Sequence, residues 1–154
     1  MVNRFKRFSY LITETYRYMR KIENEEMSKL GLKGAYAAYL MALHGEADGL
    51  TAARLGEICG RNKADVSRAI ADLSEKGLVK RISSPHNYRT PIVLTECGEE
   101  HANALADRIN DTIRRVSRGI PESVISDFYD AIALICEGLK EINENGLDSC
   151  ETDD

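Results

Sequence analysis

The chain has 154 residues, of which 43% are hydrophobic and 30% charged, and its formal net charge is −4. This length suits one domain whose core needs no disulfide or metal to hold it. The apolar runs are too short for a membrane-spanning helix, and the first residues lack the apolar stretch of a secretory signal. The four cysteines are scattered, so we expect neither a disulfide framework nor a zinc ribbon, and a cytoplasmic location is the default.

The charges are distributed unevenly along the chain. Residues 141–154 carry six acids and no base, whereas residues 61–90 carry seven bases and three acids. Residues 1–21 hold six bases and one acid. Because a phosphate backbone responds to the local field and not to the total charge, the negative total does not exclude a nucleic-acid partner.

Hydrophobic periodicity and turn residues predict the elements in chain order. We expect helices over 4–29, 35–44, 52–59, 62–76 and 96–118, and a last helix that begins near Pro121. Two short strands, 78–83 and 91–95, are predicted on either side of a turn-rich tip. The fold class is therefore mainly α with a small β-hairpin.

Residues 51–76 have the spacing of a helix-turn-helix. Gly56 is the small residue at the expected helix crossing, Gly60 tolerates the positive φ of the turn, and Val66 faces back to the first helix. The polar face of the second helix would then point outward, and a helix of this diameter fits the major groove of DNA. We assign base recognition to Asn62, Lys63, Ala64, Ser67 and Arg68 on that face.

The hairpin after the helix-turn-helix predicts a wing. Its tip carries His86, Asn87, Tyr88 and Arg89, and an arginine on a narrow hairpin suits the minor groove. The residues that suit phosphate contacts are Thr51, Arg61, Lys80 and Arg81. The pattern predicts binding to double-stranded DNA, and the alternative is a winged-helix module that makes only protein contacts.

Residues 50–98 resemble the winged-helix core of the MarR family of transcriptional regulators. The matching segments are Asp65–Arg68, Lys76–Arg81 and Leu94–Gly98, and the order of the flanking helices extends the resemblance to residues 5–144. The wing departs from the Asp-x-Arg-Arg tip that the family often has, so only Arg89 is carried over. Gly56 stands where the family usually has alanine.

The resemblance implies a winged helix-turn-helix with a helical dimerisation domain built from both termini. It implies an obligate homodimer that binds a pseudo-palindromic operator, usually as a repressor, and in many members a small, often phenolic effector that releases the DNA. The corresponding division is a dimerisation region of residues 1–32 and 96–146, a DNA-binding region of residues 33–95 and an acidic tail of residues 147–154.

The dimer is also predicted from the last helix itself. Its large apolar residues follow a heptad spacing from Ile125 to Ile142, and a second copy of the chain is a simple way to bury such a seam. The predicted dimer interface consists of Phe5, Phe8, Ile12, Ile125, Phe128, Ile132, Ile135, Leu139 and Ile142.

Other functions have weaker signals. No Gly-rich phosphate loop, nucleophile elbow or paired catalytic carboxylate is present, so we expect no enzyme activity, cofactor or metal. Cys97 lies near a helix start and is a candidate thiol sensor, whereas Cys59 and Cys136 are expected to be buried. The remaining alternative to a DNA-binding repressor is a dimeric protein-interaction or sensor module that does not itself bind DNA.

The first two helices are rich in tyrosine. These side chains either line a pocket for a small aromatic effector or take part in ordinary helix packing, and both interpretations stay open. The residues are Tyr10, Tyr16, Tyr18, Tyr36 and Tyr39.

Overall fold

A computed structural model of the chain describes residues 3–82 and 90–146. The described part is mostly helical with one antiparallel hairpin, as the sequence predicts. In chain order it contains α1 (Arg4–Lys29), a 3-10 turn (Gly34–Tyr36), α2 (Ala37–Leu43), α3 (Ala52–Cys59), α4 (Lys63–Glu75), β1 (Val79–Arg81), β2 (Ile92–Leu94), α5 (Glu96–Val116) and α6 (Glu122–Asn145). No helix within these residues is long and apolar enough to cross a membrane.

The chain divides into two compact units, residues 1–112 and 113–154. The first unit contains a hydrophobic core to which α1, α2, α3, α4, the hairpin and the first half of α5 all contribute. Its largest fully buried side chains are Met27, Leu40, Leu43, Leu55, Leu73, Ile92, Leu105 and Val66. Burial of these apolar residues is the main force that holds the helix-turn-helix in place.

Local sequence sets the ends of α3 and α4. Thr51 Oγ1 accepts a hydrogen bond from Arg54 N at 3.2 Å, and Asn62 Oδ1 accepts one from Asp65 N at 2.9 Å. Between the two helices Gly60 adopts φ 59°, a left-handed conformation that glycine enters without strain. The turn therefore follows the sequence prediction, and both caps use residue types that favour a helix start.

The hairpin is shorter than predicted and pairs with a segment that the sequence did not reveal. β1 and β2 pair antiparallel with Val79 opposite Leu94 and Arg81 opposite Ile92. Leu50 bridges Ile92 from the other side through two backbone hydrogen bonds of 3.0 and 2.9 Å. Gly49 lies so close to Ile92 O that a Cβ there would approach it to 2.5 Å, which explains the glycine at this position.

The start of α5 is joined tightly to the end of the helix-turn-helix. Thr95 Oγ1 donates to Gly77 O at 2.6 Å and accepts from Gly98 N at 3.0 Å, while Thr95 N donates to Leu78 O at 3.0 Å. A Cβ on Gly98 would lie 1.9 Å from Leu78 O. The backbones meet so closely here that only glycine fits without a shift.

Several expectations about burial in the second half of the chain are wrong. The helical period of residues 96–118 predicts that Ile113 and Val116 point inward, yet they are 39% and 74% exposed. Cys136 was expected to be buried and is exposed, because none of the described residues 122–145 of α6 is buried. An apolar stripe predicts a helix correctly, but it does not say which surface covers the stripe.

Candidate nucleic-acid interface

The recognition helix α4 has two clearly different faces. Val66, Ala69, Ile70 and Leu73 are buried in the core. The residues assigned to base recognition lie outside this buried stripe, and all of them are exposed: Asn62, which caps α4, and Lys63, Ala64, Ser67 and Arg68. The core thus holds α4 by one side and leaves a polar surface that a major groove can accept.

The crossing of α3 and α4 depends on a small residue. A Cβ on Gly56 would lie 3.0 Å from Arg61 O and 3.4 Å from Val66 Cγ2. The Arg61 amide also donates to Gly56 O at 2.8 Å, which closes the turn against α3. This close approach sets the distance between the two helices and therefore how far α4 projects.

A groove with a volume of about 730 Å³ lies beside α4 and brings together side chains that are distant in sequence. It is lined in part by Ala52, Gly56, Arg61, Lys63, Ser67 and Arg81. Arg81 also borders a neighbouring hollow that Thr51 and Thr90 help to line. Two of the four residues assigned to phosphate contacts, Arg61 and Arg81, therefore line the groove beside α4, and Thr51 lines the neighbouring hollow.

Lys80, the fourth predicted phosphate contact, is not among the residues that line this groove. It is exposed on β1 and pairs with Val93. Neighbouring residues of a strand point to opposite sides of the sheet, so Lys80 and Arg81 do not share a face. The predicted wing tip, His86 to Arg89, lies outside the described residues.

Arg54 was missed by the sequence reasoning. It is exposed on α3 and lines the same hollow as Thr51 and Arg81, while its guanidinium donates to Glu57 at 2.9 Å. Its position three residues after the Thr51 cap, on the polar side of an amphipathic helix, was the available signal. Arg54 adds a positive charge beside the predicted phosphate contacts.

A polar cluster on one side of α4 links this helix to the 3-10 turn. The Tyr36 hydroxyl and the Lys33 ammonium both donate to Asp72 Oδ2, the latter at 2.9 Å. These two donors hold the pKa of Asp72 below its ordinary value. Burial, followed by the bond to Asp72, raises the pKa of Tyr36. The cluster fixes the partly exposed Asp72 of α4 to the 3-10 turn, and it borders a hollow that Asp65 and Arg68 also line.

The candidate sensor residues lie in different surroundings. Cys97 is exposed in the first turn of α5, with Sγ 3.7 Å from His101 Nδ1. Cys59 is partly buried, and this burial raises the pKa of its thiol. Within residues 3–82 and 90–146, no group of three His, Cys, Asp or Glu side chains could hold a metal ion.

The five tyrosines do not share one environment. Tyr36 and Tyr39 are part of the core, whereas Tyr10, Tyr16 and Tyr18 are exposed on α1. Ordinary packing therefore accounts for the first two, and the other three leave an aromatic surface on α1.

The residues assigned to the dimer interface are largely uncovered. Phe8 and Ile12 are exposed on α1, and Phe128, Ile135 and Leu139 are exposed on α6. Ile125, Ile132 and Ile142 are partly exposed. The side chain of Phe5 lies outside what the structure describes.

Comparison with known proteins agrees with this geometry. Residues 30–89 match the model of the MarR family. A putative MarR-family regulator from Listeria monocytogenes, solved in complex with a 26mer DNA, is 21% identical with a TM-score of 0.77, and the match covers 87% of this chain and 92% of that one. Among curated proteins the comparison finds no match.

Two further structures show the same fold. A MarR-family regulator from Rhodococcus sp. RHA1 is 20% identical with a TM-score of 0.72, over 88% of this chain and 96% of that one. CouR from Rhodococcus jostii RHA1, bound to p-coumaroyl-CoA, is 21% identical with a TM-score of 0.68, over 83% of this chain and 90% of that one.

The fold is that of winged helix-turn-helix transcriptional regulators, which are not a class of enzymes. More narrowly, the resemblance to the MarR family is confirmed by the family match over residues 30–89 and by the shared fold over most of the chain.

Proposed function

We propose that this protein is a sequence-specific DNA-binding transcriptional regulator that acts as a homodimer on a pseudo-palindromic operator, most simply as a repressor. The observation that carries the proposal is the exposed polar face of α4, with Lys63, Ser67 and Arg68, set beside Arg61 and Arg81. Such a face offers donors for base edges and bases for the flanking phosphates. The DNA complex of the Listeria monocytogenes relative supports the same use of the fold.

The second half of the proposal is the dimer. At about 100° per residue, the large apolar residues of α6 from Val124 to Ile142, apart from Leu134, lie within an arc of about 140°. That arc is wide enough to pack on more than one neighbouring helix, and Phe128 within it is 57% exposed. A second copy of the chain would cover it and would place two recognition helices about one turn of DNA apart.

A small aromatic effector belongs to the proposal as its regulatory part. It is supported by the relative that binds p-coumaroyl-CoA and by the exposed tyrosines on α1. Binding that favours one spacing of the recognition helices would change DNA affinity by the difference in effector affinity between the two arrangements. The predicted wing, residues 84–90, would contact the flanking minor groove. A cytoplasmic location of the protein stays a prediction.

The test is a gel shift of the purified full-length protein with DNA from upstream of its own gene. The wild type should bind that fragment more tightly than an unrelated fragment of equal length. Arg68→Ala should weaken specific binding by about 1–3 kcal/mol while leaving the melting temperature nearly unchanged, because Arg68 is exposed.

Arg17→Ala is the matched control, since Arg17 is an exposed arginine on α1 that pairs locally with Glu14. It should leave binding unchanged. Equal binding by wild type and Arg68→Ala would remove the recognition-helix assignment. No shift with any fragment would favour the alternative of a protein-interaction module.

A further inference from the structure

One acidic residue lies at the edge of the predicted DNA-reading face, next to Arg68. Asp65 is in the first turn of α4, three residues after Asn62 and three before Arg68. Its Oδ2 accepts a hydrogen bond from Asn62 Nδ2 at 2.9 Å, and its Oδ1 accepts one from the Arg68 guanidinium at 2.5 Å. Asn62, the N-cap of α4, therefore forms a connected group with Asp65 and Arg68 along one edge of the helix.

This ion pair contributes little to folding. The side chain of Arg68 is 76% exposed and that of Asp65 is 37% exposed, and pairs of this kind on a surface are weak. The helix is held instead by its buried apolar face. The bond that caps α4 runs from the backbone N of Asp65 to Asn62 Oδ1, so it does not need the carboxylate.

The pair does affect how Arg68 meets DNA. Non-specific binding comes from phosphate contacts that any sequence offers, whereas an arginine reads guanine through a fixed two-pronged geometry. A carboxylate on the DNA-facing turn repels phosphates and holds Arg68 in one orientation. Arg68 must give up this partner to reach a phosphate of an unrelated sequence. The ion pair therefore lowers the affinity for unrelated DNA more than the affinity for the operator.

We propose that Asp65 is a specificity-determining residue that works by positioning Arg68, and that it lowers affinity for unrelated DNA more than affinity for the operator. The inference rests on the proposed DNA-binding function and goes beyond it. It concerns a carboxylate that contributes to discrimination without itself reading a base.

The experiment measures binding of the full-length protein by fluorescence anisotropy over a series of salt concentrations. One probe is a duplex selected by the wild type from random sequence, and the other is poly(dI-dC). Asp65→Asn keeps the shape and the acceptor oxygen but removes the charge. It should bind poly(dI-dC) roughly tenfold more tightly near 0.1 M salt, with a log–log salt slope steeper by about 0.9, as one added phosphate contact requires.

Two further variants show whether the effect passes through Arg68. In the double variant Asp65→Asn, Arg68→Ala, the salt slope should return to that of Arg68→Ala alone. Asp107→Asn makes the same change on the exposed side of α5 and should leave the affinity for both DNA probes unchanged. Far-ultraviolet circular dichroism of each variant checks that α4 is intact.

The outcomes separate the two proposals. If wild type binds the selected duplex but Asp65→Asn leaves both the slope and the ratio of affinities unchanged, the inference about Asp65 is wrong and DNA binding stands. If the gain persists without Arg68, Asp65 acts only through its charge, and the positioning role is wrong. If wild type selects no duplex at all, the proposed function fails, and the inference fails with it.

Discussion

The segment from α2 to β2 and the last helix differ in how far their apolar side chains are buried. In the first, Leu40, Leu55, Val66 and Ile92 are at most 1% exposed, so the helix-turn-helix and its hairpin close a core within one chain. In α6, described over residues 122–145, no residue is buried. The helix-turn-helix and its hairpin therefore complete their core within the single chain, whereas α6 leaves large apolar side chains exposed.

The largest effect is expected from a charged residue placed in the heptad seam of α6. We expect Ile132→Asp to weaken the dimer by at least about a hundredfold, because burying an isoleucine is worth about 1.5–3 kcal/mol and the change occurs in both subunits. Sedimentation equilibrium over a range of concentrations measures the effect.

The control for Ile132→Asp is Ser126→Asp, which puts the same charge on the polar face of the same helix. It should leave the dissociation constant unchanged. A wild-type protein that sediments as a monomer, or equal effects of the two substitutions, would contradict a dimer built on this seam.

A pair of glycines tests packing in the two regions directly. Gly98→Ala should lower the free energy of unfolding by about 1–3 kcal/mol, since its Cβ would lie 1.9 Å from Leu78 O. Gly138→Ala, in α6, meets nothing within 4 Å and should stabilise the helix by about 0.5–1 kcal/mol. Urea unfolding followed by circular dichroism measures both.

The opposite outcome at either glycine would also reveal how closely that region is packed. A neutral Gly98→Ala would mean that the junction of α5 with the residues just before β1 is looser than the distances indicate. A Gly138→Ala variant that dissociates more readily would show that another helix of the dimer packs closely against that side of α6.

The smallest expected effect concerns the polar cluster of Lys33, Tyr36 and Asp72. In the folded chain the pKa of Asp72 lies below its ordinary 3.8, because Tyr36 and Lys33 donate to the carboxylate. A lowered pKa means that this interaction stabilises the fold above pH 3.8, and that the stabilisation is lost as the pH falls through the folded-state pKa. Tyr36→Phe should therefore lower Tm by roughly 2–4 °C at neutral pH.

Thermal unfolding at several pH values checks this expectation. The difference between Tyr36→Phe and wild type should shrink in acid, where Asp72 becomes protonated in both proteins. Tyr16→Phe, on the exposed side of α1, is the control and should match wild type throughout. A difference that does not depend on pH would mean that the hydroxyl acts through packing and not through the carboxylate.

Much of the helix-turn-helix could be predicted because its signals are local. Thr51 and Asn62 each bond a backbone amide three residues away, and the positive φ at Gly60 follows from its place between two helices. The apolar residues of α4 repeat with the helical period, which predicts Val66, Ile70 and Leu73 on the core side of the helix, and all three are buried there.

Features that depend on contacts between distant residues were not predictable in this way. The bridge between Leu50 and Ile92, the bond between Tyr36 and Asp72, and the approach of Gly98 to Leu78 each join residues that no short-range pattern links. Burial of Ile113, Val116 and Cys136 was misjudged for a related reason. Periodicity shows that a helix has an apolar side, but not whether the same chain covers it.

The sequence by itself determined where α3 and α4 begin and end and which side of α4 is polar, because caps, turns and periodicity act over three or four residues. Only the tertiary structure decided that Arg81 joins the groove beside α4 while Lys80 does not, and that Arg54 lies with Thr51 and Arg81. The physical reason is that strand register and helix crossing set these positions, and both depend on packing across the whole core.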